Sequence, residues 1–173
     1  MKRILLICSC ICGLMACNSD STTISDVSTT PPVQLPFTAS YTADWSDSVS
    51  DQDLLVVLNS YKYWQDNDMK ALSGVMGDSV TFLSYSGFKY SGRKDSLMNM
   101  WTKSRDSMSG VTIIMDSWRK AHSTAKKGDF VSVWYKEIDT YKDGRVDSAY
   151  YQDNNMILNG KIVWYAQHKR VLK

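Results

Sequence analysis

An α+β domain, with helices packed on one face of a curved antiparallel sheet, is the fold class this sequence predicts. Three observations predict it. First, Gly128–Arg170 offers three strand patterns in succession, Phe130–Tyr141, Asp147–Leu158 and Lys161–Val171. They are separated by Lys142-Asp143-Gly144-Arg145 and Asn159-Gly160, which supply the Gly or Asn that tight hairpins need. Second, these strands hold much of the aromatic mass, including Trp134, Tyr135, Tyr141, Tyr150, Tyr151, Trp164 and Tyr165. A broad antiparallel face of that kind must be covered. Third, amphipathic helical patterns upstream can cover it.

The first helix opens at Asp51-Gln52-Asp53, where carboxylates suit the positive end of the helix dipole. Leu54, Val57, Leu58, Tyr61 and Trp64 follow at helical spacing on one face. Asp66-Asn67-Asp68 interrupts the helix. Residues 69–76 read as a short second helix ended by Gly77, 78–86 as a strand and 87–92 as a turn region. A third helix is expected over 93–108, with Leu97, Met98, Trp101, Arg105 and Met108 on one stripe. A strand over 111–122 then leads into the meander.

The remainder of the 173 residues is leader and tether. Lys2 and Arg3 precede an apolar run that ends at Cys17, the arrangement of a secretory signal and one too short to span a bilayer permanently. Leu14-Met15-Ala16-Cys17 resembles a bacterial lipobox, so residues 1–16 are expected to be a signal peptide and Cys17 to carry lipid. Membrane anchoring through Cys17 in the bacterial cell envelope follows as the expected localisation, with the outer membrane favoured by Asn18 and Ser19. Cys8, Cys10 and Cys12 lie inside the leader, which leaves the domain without a disulfide. Residues 17–50 are rich in Ser, Thr, Asp and Pro and are expected to form a disordered tether. Within it, Phe37, Tyr41 and Trp45 are read either as scattered linker aromatics or as groups that dock on the domain. The folded domain is expected over 51–173.

Charge narrows the function classes. From Leu54 onward 18 bases face 12 acids without any dense basic run, which argues against a nucleic-acid partner. His122 and His168 are the only histidines and have no metal-ligand company, so no metal is expected. No G-x-S-x-G, P-loop or G-x-G-x-x-G is present, and no cofactor is expected.

The order of elements, with its punctuation, resembles the nuclear transport factor 2-like superfamily, which includes SnoaL-like polyketide cyclases and ketosteroid isomerases. The matching stretches are Asp66-Asn67-Asp68 before Met69-Lys70-Ala71-Leu72, Gly77-Asp78-Ser79-Val80-Thr81-Phe82, Ser91-Gly92-Arg93-Lys94-Asp95, and Ile157-Leu158-Asn159-Gly160-Lys161-Ile162-Val163. The resemblance implies a cone-shaped α+β barrel whose sheet and helices enclose a pocket. It also lets isomerase chemistry be tested by position. The place of the acidic hydrogen-bond donor is Asp153. The place of the general base is Ser84, which cannot abstract a carbon-bound proton at neutral pH. The helix tyrosine's place is Ser60, with Tyr61 and Tyr63 adjacent. One role of the set is retained, so the isomerase reaction is not supported.

Asp153 is therefore the leading candidate catalytic or pocket acid, and it is read either as pointing into an apolar pocket or as a solvated strand residue. Asp116 is a weaker candidate, read as a second pocket carboxylate or as half of a cross-strand ion pair. Tyr61, Trp64, Ser84, Trp101, Trp118, Trp134 and Tyr151 complete the candidate pocket, the tryptophans being core or pocket wall. The function expected is a lipid-anchored envelope protein binding a small apolar or amphipathic ligand without catalysis. Two alternatives are a SnoaL-like or isomerase-like enzyme using Asp153, and an interaction module that dimerises through the outer sheet face.

Overall fold

The structure, a computed structural model, describes residues 45–171. The leader, Cys17, Phe37 and Tyr41 lie outside the described residues.

The folded unit starts earlier than composition suggests. β1 (Trp45–Ser46) pairs with the end of β4, and Trp45 packs edge-on against Phe130 with ring centroids 5.5 Å apart. Val49 is buried and joins the core. The Ser-rich setting hides these two apolar anchors, and residues 45–50, expected to be tether, belong to the folded unit. Ser50 itself caps α1 (Asp51–Gln65), its Oγ accepting from Asp53 N–H at 3.0 Å.

Asp68 caps α2 (Met69–Val75) in the same way, accepting from Ala71 N–H at 2.9 Å. β2 (Met76–Leu83) follows without a loop. It begins two residues before the expected strand because Gly77 is already in the sheet. A Cβ there would stand 2.9 Å from Val163 Cγ1, so the glycine admits the neighbouring strand. The expected turn over 87–92 holds a strand instead, β3 (Lys89–Arg93), paired antiparallel with β2. Its short polar sequence carries little strand signal, and its pattern is mostly exposed, as suits an edge. α3 (Lys94–Asp106) then leads into β4 (Met108–Ser123), which takes Met108 from the expected helix.

β5 (Gly128–Tyr141), β6 (Val146–Leu158) and β7 (Lys161–Val171) form the meander. Asn159 and Gly160 both adopt positive φ, 52° and 69°, as a two-residue hairpin turn with the twist of its strands requires. Among the described residues the sheet has seven strands in the order β1-β4-β5-β6-β7-β2-β3. It is not wholly antiparallel, because β2 runs parallel to β7. Register shifts interrupt the β4–β5, β6–β7 and β2–β7 ladders. Such bulges bend strands, and here they curl the sheet around its helices.

Alternation decides what lies inside the curve. On β5 the inward set is Val131, Val133, Tyr135, Glu137 and Asp139; on β6 it includes Ala149, Tyr151, Asp153, Asn155 and Ile157. Leu97 and Met98 of α3 and Val57 and Tyr61 of α1 close on these residues to form the core. Arg105 is a buried cation, 4% exposed, within that helical layer. Its Nε and Nη2 donate at 3.1 Å to the carbonyls of Trp64 and Gln65, the negative end of α1.

Candidate functional site

The concave side of the sheet and the two long helices enclose a cavity of about 570 Å³. That is within the range of small-molecule sites. Trp64 of α1 and Trp101 of α3 wall one side, and Tyr135, Tyr151 and Tyr165 rise from the sheet. The aromatic rings brace one another. Phe82 and Tyr165 stack at 5.2 Å, Tyr135 and Tyr151 stack at 5.3 Å, and Trp101 meets Phe82 edge-on at 5.5 Å. Tyr85 and Phe88, from the β2–β3 hairpin, are half exposed at the rim. Tyr141, Arg145 and Asp147, from the β5–β6 hairpin, also line it.

Behind the tyrosines lies Asp153, with no exposed surface and no share in the cavity wall. Its Oδ2 accepts three phenolic hydrogen bonds, from Tyr61 at 3.0 Å and from Tyr135 and Tyr165 at 2.7 Å. A further layer fixes the phenols. Asn155 Nδ2 donates to Tyr61 Oη at 3.2 Å, and Gln167 Nε2 donates to Tyr165 Oη at 3.0 Å and Tyr135 Oη at 3.4 Å. Burial pushes the Asp153 carboxyl up to about 7, against the three phenols, which favour its charge. The same burial and the facing carboxylate push Tyr61, Tyr135 and Tyr165 well above the usual phenol range, so each keeps its proton.

A second acidic group stands on the cavity wall itself. Glu137 and Asp139 sit two apart on β5 and so share the inner face. The two carboxyls perturb each other's titration, and the Trp64 indole favours the charged form of Glu137. Burial, then the Asp139 charge, pushes Glu137 up to about 8; burial also raises Asp139, while Lys169 and Arg105 pull it back. The pair therefore holds a proton at neutral pH. Asp139 Oδ1 is buried and has no partner among the described residues, and the same is true of Asp153 Oδ1.

The candidates named from the sequence fall into two groups. Tyr61, Trp64, Trp101 and Tyr151 line the cavity, with Asp153 beneath it. Ser84, Trp118, Trp134 and Asp116 do not line it. Ser84 lies past the end of β2, with its Oγ 3.1 Å from that of Ser86. Trp134 is opposite in alternation to Tyr135 and so faces outward, where it borders a shallow depression with Asp116, Tyr150 and His168. Asp116 is the bulged residue of β4, without a partner in the ladder. The bulge shifts the face of the residues beyond it. Trp118 pairs with Val133 on the inner face, yet it stays 50% exposed. Ser60, in the place of the helix tyrosine, lines the cavity but donates to Val57 C=O at 2.7 Å, and Tyr61 makes the reach to Asp153.

Sequence reasoning missed Glu137 and Asp139. The signal was available: Val131, Val133 and Tyr135 set an inward alternation, and Glu137 and Asp139 continue it with acids. Tyr85 and Phe88 at the rim carry no such signal, because the connection between β2 and β3 brings them to the cavity only in space.

No protein-family model matches this sequence, and no curated protein matches it. Solved structures do match. An LEH-like epoxide hydrolase of M. tuberculosis superposes with a TM-score of 0.59 at 8% identity, over 70% of this chain and 84% of that one. An NTF2-like protein from Anabaena variabilis gives 0.57 at 14% identity, over 73% and 96%. AusH from Aspergillus nidulans gives 0.58 at 14% identity, over 72% and 88%. At such identities the likeness speaks for architecture alone. Helices on the concave side of a curved, unclosed seven-stranded sheet, with a cavity between, are the NTF2-like cone, and that is the fold of this chain.

Proposed function

We propose that this chain is a lipid-anchored protein of the bacterial cell envelope whose cone-shaped domain binds a small amphipathic molecule. The observation that carries the reading is the cavity of about 570 Å³, with aromatic walls and a few buried polar groups converging on it. Apolar walls supply affinity and the sparse polar groups supply orientation. Anchoring rests on the leader and Cys17: two or more acyl chains hold a protein at a membrane where one is marginal. The test is native mass spectrometry of the protein purified from its host. A co-purifying small molecule supports the reading, and a Trp64→Ala/Trp101→Ala variant should lose it. For the anchor, Cys17→Ser should release the protein from membranes.

A second reading, an enzyme that moves protons, is favoured by one observation: a buried carboxyl, Glu137, stands on the cavity wall, where burial raises it to about 8. It is tested by turnover on carbonyl or epoxide panels with Glu137→Gln as control. Self-association is a separate proposal, through the outer sheet face where Ile114, paired with Lys136, is half exposed. A strict monomer in light scattering at high concentration would exclude it.

A further inference from the structure

We propose that the occupant of the cavity is an amine: a small molecule with an apolar or aromatic body and one cationic nitrogen seated on the Glu137–Asp139 carboxyl pair. The inference rests on the cavity being a binding site and names the chemistry of what it binds.

The argument is an inventory of what the cavity offers. Its one buried, lining polar atom without a partner among the described residues is an acceptor, Asp139 Oδ1, on a side chain only 9% exposed. A buried acceptor of this kind calls for a donor from the ligand. The phenolic protons of Tyr61, Tyr135 and Tyr165 are all spent on Asp153. What those tyrosines have left for a ligand is oxygen lone pairs.

Two cations line the cavity, Arg145 and Lys169; Arg105 is buried near the acidic pair without lining it. Arg105 is held on the α1 carbonyls. Arg145 lies 2.8 Å from Asp147 and 3.7 Å over the Tyr141 ring. Lys169 sits over Tyr85 at 4.9 Å and over Tyr151 at 5.5 Å. An anionic ligand could address Lys169 without breaking an ion pair, but it would then approach two carboxyls. An ammonium group meets an unfilled carboxylate oxygen, and the indoles of Trp64 and Trp101 line the cavity beside its body and charge.

The charged groups facing the pair are Arg105 from α3, Asp147 and Asp153 from β6 and Lys169 from β7; the β4 neighbours, Val111 and Ile113, are apolar. An ammonium supplies the positive charge that the Glu137 proton otherwise supplies. The proton then leaves to solvent and no bond is made or broken in the ligand.

The test uses three isosteres on the full chain: 3-phenylpropylamine, 3-phenylpropan-1-ol and 3-phenylpropanoate, titrated by calorimetry at pH 7. The amine is expected to bind at least tenfold tighter than either of the others. A Glu137→Gln/Asp139→Asn variant should lose that preference while its affinity for the alcohol stays within a few-fold. If the alcohol or the acid binds the wild-type chain as well as the amine, the amine assignment falls and the small-molecule reading stands. If none of the three binds, the amine assignment falls; the small-molecule reading falls with it only if native mass spectrometry also finds nothing retained. The wild-type comparison needs no variant, so a misfolded variant leaves the test intact.

Discussion

Two acidic sites share the inner face of this sheet, and they are built to opposite ends. Asp153 is sealed: three tyrosine hydroxyls converge on one of its oxygens, and Asn155 and Gln167 hold those hydroxyls in place. Glu137 and Asp139 stand on the cavity wall, with the Asp139 Oδ1 acceptor unfilled among the described residues. A network in which most members are satisfied rigidifies a core. A pair that leaves an acceptor open towards a cavity stores a binding preference instead. The difference teaches that burial and a raised pKa do not by themselves mark a reactive acid. What the group's remaining valences face decides its role.

The largest effect expected from this contrast is on stability against pH. Asp153, at about 7, and Glu137, at about 8, both have folded pKa values above those of an unfolded chain. As pH rises, the unfolded chain therefore loses these protons first. The stability they contribute is complete below about pH 4 and is lost as pH climbs through about 8. A decline on the order of 5 kcal/mol in unfolding free energy across that window is expected, read by urea titration at a series of pH values. Asp153→Asn should flatten its lower part and Glu137→Gln its upper part. A profile rising from pH 5 to 8 would refute both assignments.

Truncation separates the sites next. Asp153→Ala leaves three buried phenols without their acceptor and opens a small void. It should cost about 3 kcal/mol, read as a lower denaturation midpoint at unchanged m. The alanine variant of Asp139 should cost far less, since that side chain receives little. If the two costs are equal, the distinction between a structural and a ligand-facing acid is lost.

This asymmetry also explains what the sequence could and could not reveal. Elements with a strong period and clear caps were legible: α1, α2 and the three meander strands stand where their patterns and the Asn159-Gly160 turn put them. β3 was not, because Lys89–Arg93 has neither alternation nor a β-branched run and is a strand through pairing with β2. Trp45 was ambiguous because only tertiary contact with Phe130 distinguishes a docked aromatic from a linker one. For the site, register from the last hairpin located Asp153, but its three partners come from α1, β5 and β7 and meet only in space. Trp118 and Asp116 could not be assigned a face, since a bulge shifts the alternation and the bulge has no sequence marker here.

A smaller and more pointed measurement addresses the sealed site alone. Each of Tyr61→Phe, Tyr135→Phe and Tyr165→Phe removes one of three donors to Asp153 and leaves two. Each should cost roughly 1 kcal/mol. Because these hydrogen bonds hold the Asp153 pKa down, each variant should also move its titration upward, most of all Tyr165→Phe, the strongest of the three influences. The carboxyl carbon shift in NMR reads this directly. A downward move would mean that the phenols do not donate to the carboxylate.

The least effect is expected where the proposal of a ligand-facing pair is most exposed to test. Asp139→Asn removes a half-satisfied buried charge and keeps its shape. Such an acid held for binding is a burden on the empty protein, so the variant should be unchanged or more stable by up to about 1 kcal/mol at pH 7. Stability measured by urea unfolding with and without saturating amine distinguishes the cases. The wild-type chain should gain stability from the amine in proportion to the logarithm of its concentration, and the variant should gain little. If Asp139→Asn instead loses several kcal/mol in the absence of any ligand, its oxygen has a structural partner, and the two acidic sites are of one kind.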